Sequence, residues 1–282
     1  MKTLCLRSEL SFRAFGFLGA SKPVCTVICI FALLFVSLHA RPAGAANFEF
    51  RGRIDAQDPV SHLMAYYVNS FSPEEFFLAI DEQPDDSGRI RELYMNLAGV
   101  MINGVRLDRL IVRMSGVQFN SPSEWAYGII ECKSAMQIHA YALLKEDDVN
   151  RHLMARTFGR DDHWSNISMR ISQSGLHAQG VYSAKVLFVT LNILIEVDSG
   201  LRIVENRALW LDDYRVRVNR LDIPDYITRR AVQQIQPLLD LGRFPLPLRL
   251  HSVTFGDGRA ELSTRVPPSP LQGGITYHYR AE

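Results

Sequence analysis

Cysteine is almost absent from this sequence: four in 282 residues, three of them (Cys5, Cys25, Cys29) near the start. Once an opening segment is set aside, only Cys132 remains. No internal disulfide can then form, so the chain needs a core large enough to stand unaided. Catalytic signatures are missing too. There is no G-x-S-x-G, P-loop or G-x-G-x-x-G, and His152, His163 and His177 lack the spacing of a metal site. Asp161-Asp162-His163 reads as a solvated connection. Neighbouring Glu74 and Glu75 would point to opposite faces of a strand and cannot flank one bond; they read as a helix start. No enzyme, cofactor or metal is expected. Nor is there an excess of one charge, with 31 Lys+Arg against 30 Asp+Glu.

What is present begins with a basic leader (Lys2, Arg7, Arg13, Lys22), an apolar run over residues 24–38 and the small residues Ala43-Gly44-Ala45. This is the layout of a secretory signal peptide with an A-x-A cleavage site over residues 1–45, the alternative being an uncleaved anchor. Removal of five basic and one acidic residue leaves 26 Lys+Arg against 29 Asp+Glu. A mildly acidic exported chain excludes nucleic acid as a partner, because phosphate affinity needs concentrated Lys and Arg. The expected location is the periplasm or extracytoplasmic envelope.

The rest reads as one α+β domain over residues 46–266. Asp58-Pro59 caps a helix with Leu63, Tyr66 and Tyr67 at helical spacing. A strand over 75–81 follows, then RIRELYMNLAGVMINGVRLDRLIVRMSGVQF, two alternating runs about an Asn-Gly hairpin cue. The inward phase shifts between Leu107 and Leu110, which predicts a bulge at Asp108-Arg109. Residues 134–144 alternate with Met136, Ile138, Ala140 and Ala142 on one face. EDDVNRHLMARTF predicts a helix with acids in its first turn and an apolar stripe of Val149, Leu153 and Phe158. Strands fill 164–222, with a turn at Asp198-Ser199-Gly200. A helix over 224–241 carries Ile227, Ala231, Ile235 and Leu238, with Asp222 as candidate cap and Pro237 to end or kink it. Strands over 246–255 and 259–266 about Gly256-Asp257-Gly258 close the domain, and residues 267–282 read as a flexible C-terminal tail. So much antiparallel sheet with only three amphipathic helices predicts a long, strongly curved sheet wrapped around them. That would be a half-open tube with an apolar interior fit for a hydrophobic ligand.

Five phrases follow one another in a set order: GRIRELYMNLAGVMINGVRLDRLIVRMSGVQF, AYALLKEDDVNRHL, hairpins at SQSGLHAQG and VDSGL, and PLPLRLHSVTFGDGRAEL. In them the chain, over roughly residues 59–266, resembles the LmeA family of exported bacterial phospholipid-binding proteins. The likeness implies a fold like the tubular lipid-binding (TULIP) domains and a non-enzymatic role in which a phospholipid's acyl chains lie inside the tube. Lipid transport or presentation, transient contact with a membrane surface and an unidentified envelope partner are the implied setting. The resemblance transfers no ligand-binding residue, so the candidate lining comes from the pattern: Leu63, Tyr66, Tyr67, Leu153, Phe158, Ile227, Ala231 and Ile235. A tyrosine suits a tube mouth, with its ring in lipid and its hydroxyl wet. Arg229 and Arg230 could meet a lipid phosphate. Cys132 reads as an ordinary thiol, since nothing nearby would activate it. The competing reading is a β-rich envelope scaffold with a solid core.

Overall fold

A computed structural model describes residues 46–55, 58–102, 105–154, 163–186 and 189–281. Those residues belong to one unit, Ala45–Glu282. The leader lies outside the described residues, as do the Asn103-Gly104 turn and Phe158.

The described strands are almost all antiparallel and join a few short helices, as an α+β chain should. They form two open sheets rather than one. The first has eight strands in the order β1-β14-β2-β3-β4-β5-β13-β12: β1 (Ala46–Glu49), β2 (Glu75–Ile80), β3 (Arg89–Ile102), β4 (Val105–Phe119), β5 (Cys132–Lys145), β12 (Ser252–Gly256), β13 (Arg259–Ser263) and β14 (Ile275–Arg280). The second runs β10-β9-β8-β7-β6: β6 (Trp164–Ser172), β7 (Gly175–Val186), β8 (Val189–Val204), β9 (Ala208–Val218) and β10 (Leu221–Asp222), with β11 (Leu239–Asp240) also on β9.

Helix α1 (Pro59–Phe71), longer than the single turn α2 (Pro122–Trp125) after β4, forms as its sequence predicts. Asp58 accepts from Val60 N at the cap, Pro59 occupies the first turn, and Ser72 closes the helix in the left-handed region. Its buried side, Val60, Leu63, Met64, Tyr67 and Phe71, joins the core under the first sheet. Asp58 has a second task. Its Oδ1 also accepts from the Tyr277 hydroxyl at 3.0 Å, and Gln83 donates to that hydroxyl at 2.9 Å.

Tyr277 corrects the expected loose tail. Residues 275–280 pair antiparallel with β2 and parallel with β1, and Tyr277 is 2% exposed. The proline- and glycine-rich run before them is the connection that returns the chain to the sheet edge, with Gly274 at φ +87 in a bend where a Cβ would meet Ile80 O.

Strands β3 and β4 keep one register from Arg89↔Gln118 to Ile102↔Val105, so Asp108-Arg109 is not a bulge with an extra residue. The inward phase does shift there, and both strands shift together. Gly99, opposite Asp108, takes φ +64, a conformation open to glycine at little cost. The bulge falls instead between β4 and β5, at Gln118/Phe119. Met136 swings out to 81% exposure and lies across Gly116 rather than joining the core.

Asp198-Ser199-Gly200 is not a turn. It lies inside β8, where pairing with β9 shifts register, while the real reversal is Glu205–Arg207. Bulges and turns use the same residue types because both need local departures from extended geometry. The hairpin at Gln173-Ser174 is as predicted. The acidic stretch makes one turn, α3 (Glu146–Asp148), then widens into a π-helix, Val149–Met154. Helix α4 (Asp225–Ile235) starts without a side-chain cap and stops before Pro237, so Leu238 lies beyond it.

Helix α3 and its extension bind the two sheets together. Ile171 N donates to Glu146 Oε2 at 2.7 Å, and Asn150 exchanges two hydrogen bonds with the backbone of Met169 on β6. Asp148, with 3% of its side chain exposed, is held by Arg106 of β4 at 2.9 Å, and the same guanidinium meets Glu74 at 2.6 Å. Glu74 and Glu75 thus diverge: Glu75 opens β2, not a helix, and pairs with Arg280.

Candidate functional site

One face of the first sheet carries an aligned row across four strands: Leu97 opposite Leu110, Leu110 opposite Ala142, and Ala142 opposite Leu262. Period-2 alternation puts all four on the same side, and each is at least nine-tenths buried. This row is covered by a strap over residues 239–250, made of β11, a 3₁₀ turn (Leu241–Arg243) and an extended run. In that run Leu246, Leu248 and Leu250 point in, while Pro247 and Arg249 point out.

Between row and strap lies a cleft bounded by Ile102, Leu107, Leu110, Ala142 and Leu262 on the sheet side and by Leu239, Leu241, Phe244, Leu248 and Leu250 on the other. Its volume is about 40 Å³. That is room for roughly three water-sized groups, in walls with no polar group to hold them. Tyr141, from β5, is also at its edge.

The two walls are held differently. The strap is stitched to the second sheet: Leu238 N donates to Leu209 O at 2.9 Å, Leu241 N to Arg207 O at 3.0 Å and Leu250 N to Asn206 O at 2.7 Å. Among the described residues its backbone makes no hydrogen bond to the first sheet until His251 N reaches Ser263 O at 2.8 Å. Across the cleft the contact is leucine on leucine.

On the outer side of the strap an open groove of about 530 Å³ shares Leu241, Phe244 and Leu248 with the cleft. Its volume is that of an ordinary small-molecule site. Glu205, Asn206 and Arg207 of the β8–β9 turn, Arg249 of the strap and Cys132 of β5 line it. Phe244 forms the partition and stacks on Phe71 of α1, centroids 5.2 Å apart. Burial pushes the Cys132 thiol up to about 11, so it is a poor nucleophile at neutral pH. Burial also raises the Tyr67 hydroxyl well above its usual range, with Cys132 adding to the effect.

The residues expected to line a tube fall as follows. Leu63 and Tyr67 are buried in the core under the first sheet. Tyr66 is half-buried, its ring edge-on to Tyr67. None of the three lines the cleft, though Tyr67 comes near the groove through Cys132. Ile227 is 46% exposed on α4, and Arg229 is exposed on the same helix. Leu153, Ala231 and Ile235 have side chains outside the described residues, as does Arg230. The cleft's own residues were visible in the sequence only as alternation. Nothing local says that 239–250 would lie over 107–142, because that pairing is tertiary.

Among the described residues no cluster of three or more His, Cys, Asp or Glu could hold a metal, and no helix is long and apolar enough to cross a membrane. What the geometry defines is a two-sheet β-rich protein with an apolar interior and an adjoining charged groove. The profile of the LmeA-like phospholipid-binding family matches residues 87–265, and the chain belongs to that family. The match spans the row, the strap and the groove, and ends just before the segment leading to β14. No curated protein and no solved structure matches the chain.

Proposed function

We propose that this protein is a non-enzymatic component of the cell envelope that takes up an acyl chain of a phospholipid-like molecule between the first sheet and the strap, to carry it or present it. The observation that supports this most is the apolar row roofed by a strap that, among the described residues, no backbone hydrogen bond ties to it, in a chain of a phospholipid-binding family. Each methylene moved out of water contributes about 0.8 kcal/mol, so one chain offsets its own ordering and the lifting of a few leucines. The leader would deliver the protein to the periplasm or outer surface, and the curved half-tube of the family would be the open form.

A second reading, an envelope scaffold with a filled core, draws on the cleft's small volume, about 40 Å³. An acyl chain fits only if the strap separates from the row. Native mass spectrometry of the protein purified gently from envelopes, followed by organic extraction, decides between them. A stoichiometric lipid is the expected result. A clean apo mass, with no lipid gained from phospholipid vesicles, would establish the scaffold.

A further inference from the structure

We infer that the outer groove is the headgroup subsite: Arg207 and Arg249 receive the phosphate of a phospholipid whose acyl chain passes Phe244 into the apolar cleft. The inference rests on the lipid-binding reading above and adds to it the position and chemistry of the polar end.

Three observations carry it. Cleft and groove lie on either side of one thin wall, Leu241, Phe244 and Leu248 being common to both linings, so a molecule whose apolar end enters the cleft past that wall leaves its other end at the groove. The groove is the larger by an order of magnitude, about 530 Å³ against 40 Å³, which suits a bulky polar end. Its described charged side chains are two arginines and one carboxylate, a surplus of one positive charge. Arg207 pairs with Glu205 at 3.0 Å and lies beside the 3₁₀ turn, its Nη1 3.5 Å from where a Cβ on Gly242 would stand, with the Asp240 carboxylate, which accepts from Gly242 N, bordering the same point at 3.0 Å. Arg249 projects from the extended run on the side opposite Leu248 and Leu250 and forms no ion pair with a described residue. A guanidinium matches phosphate geometry with two parallel donors, and such charge-assisted bonds are about twice as strong as neutral ones.

The test compares two probes with the same short chains, dioctanoyl phosphatidylglycerol and dioctanoylglycerol, which lacks the phosphate. Binding to the purified full chain is measured for the natural sequence, Arg207→Ala, Arg249→Ala and Arg249→Lys. The phospholipid should bind at least tenfold more tightly than the diacylglycerol. Each alanine variant should lose about tenfold for the phospholipid and nothing for the diacylglycerol, with Arg249→Lys recovering part of the loss. Equal affinity for both probes, or arginine variants that bind the phospholipid normally, would overturn the headgroup assignment while leaving lipid binding in place. Failure of both probes on the natural sequence would remove the lipid-binding reading itself. Inorganic phosphate binding as tightly as the phospholipid would show a free-phosphate site and also overturn the proposal.

Discussion

The Arg106 guanidinium holds two carboxylates, and geometry and energetics rank them in opposite order. Glu74 is the closer, at 2.6 Å, but 61% of its side chain is exposed; Asp148, at 2.9 Å, is 3% exposed. An exposed pair gains little because water screens it and two long side chains must be ordered, so Glu74→Ala should cost under about 1 kcal/mol. Asp148→Ala leaves a guanidinium that is itself only 16% exposed with one outlying partner. Breaking a buried pair typically costs 3–5 kcal/mol; Arg106 keeps Glu74, which places this case near ~3 kcal/mol. Arg106→Ala should be worse, since Asp148 would retain only Arg151, at 3.6 Å and 69% exposed. For a domain of this size each kcal/mol moves Tm by about 2–4 °C, so Asp148→Ala should lower it by roughly 6–12 °C and Glu74→Ala by no more than ~4 °C. Urea unfolding monitored by tryptophan fluorescence measures all three. If Glu74→Ala proves as costly as Asp148→Ala, burial is not what sets the value of these contacts, and the account of α3 as the clamp between the sheets fails with it.

Ending the chain at residue 270 should yield insoluble or unfolded protein in an expression and circular-dichroism test, because it strips β14 from β2, exposes a strand edge and removes the Tyr277 hydroxyl from Asp58. Gly88→Ala should destabilise by at least about 2 kcal/mol in chemical denaturation, since φ is +82 and the new Cβ would lie 2.1 Å from Asn120 O. Iodoacetamide should alkylate Cys132 about a hundredfold more slowly at pH 8 than a free thiol, its pKa having moved from 9.0 to about 11 through burial. The same shift makes the thiol's contribution to stability complete below pH 9.0 and lost as pH rises through about 11, which a pH series of melting curves would register.

Sequence reading succeeded where a local signal had one meaning. Asp58-Pro59 could only begin a helix, and the alternation around Leu93 and Val112 could only be strand. It failed where one signal serves two structures. Asp198-Ser199-Gly200 has turn chemistry yet makes a bulge in a sixteen-residue strand. The leucines at 246, 248 and 250 alternate like a strand's, and they do bury one side, but no partner strand pairs with them. The prolines and glycines after residue 266 hid β14, whose six residues alternate but sit behind a linker-like stretch. The candidate site was least legible, because it is assembled from β4 and β5 and from the strap and β13, two pairs of segments with the whole of strands β6 to β10 between them in the sequence. Amphipathic helices drew attention to Ile227 and Tyr66, whereas the continuous apolar surface belongs to the sheet.

The strap's unequal attachment makes its position a property of the surroundings as well as of the chain. Hydrogen bonds tie it to the β8–β9 turn and the start of β9. What presses Leu248 and Leu250 onto the row is the aversion of water for their surfaces, a force that weakens on cooling and vanishes where the medium is itself hydrocarbon. On the proposed function, such a cover would be shut in bulk solvent and loose at an oily boundary, needing no trigger beyond a change of neighbourhood.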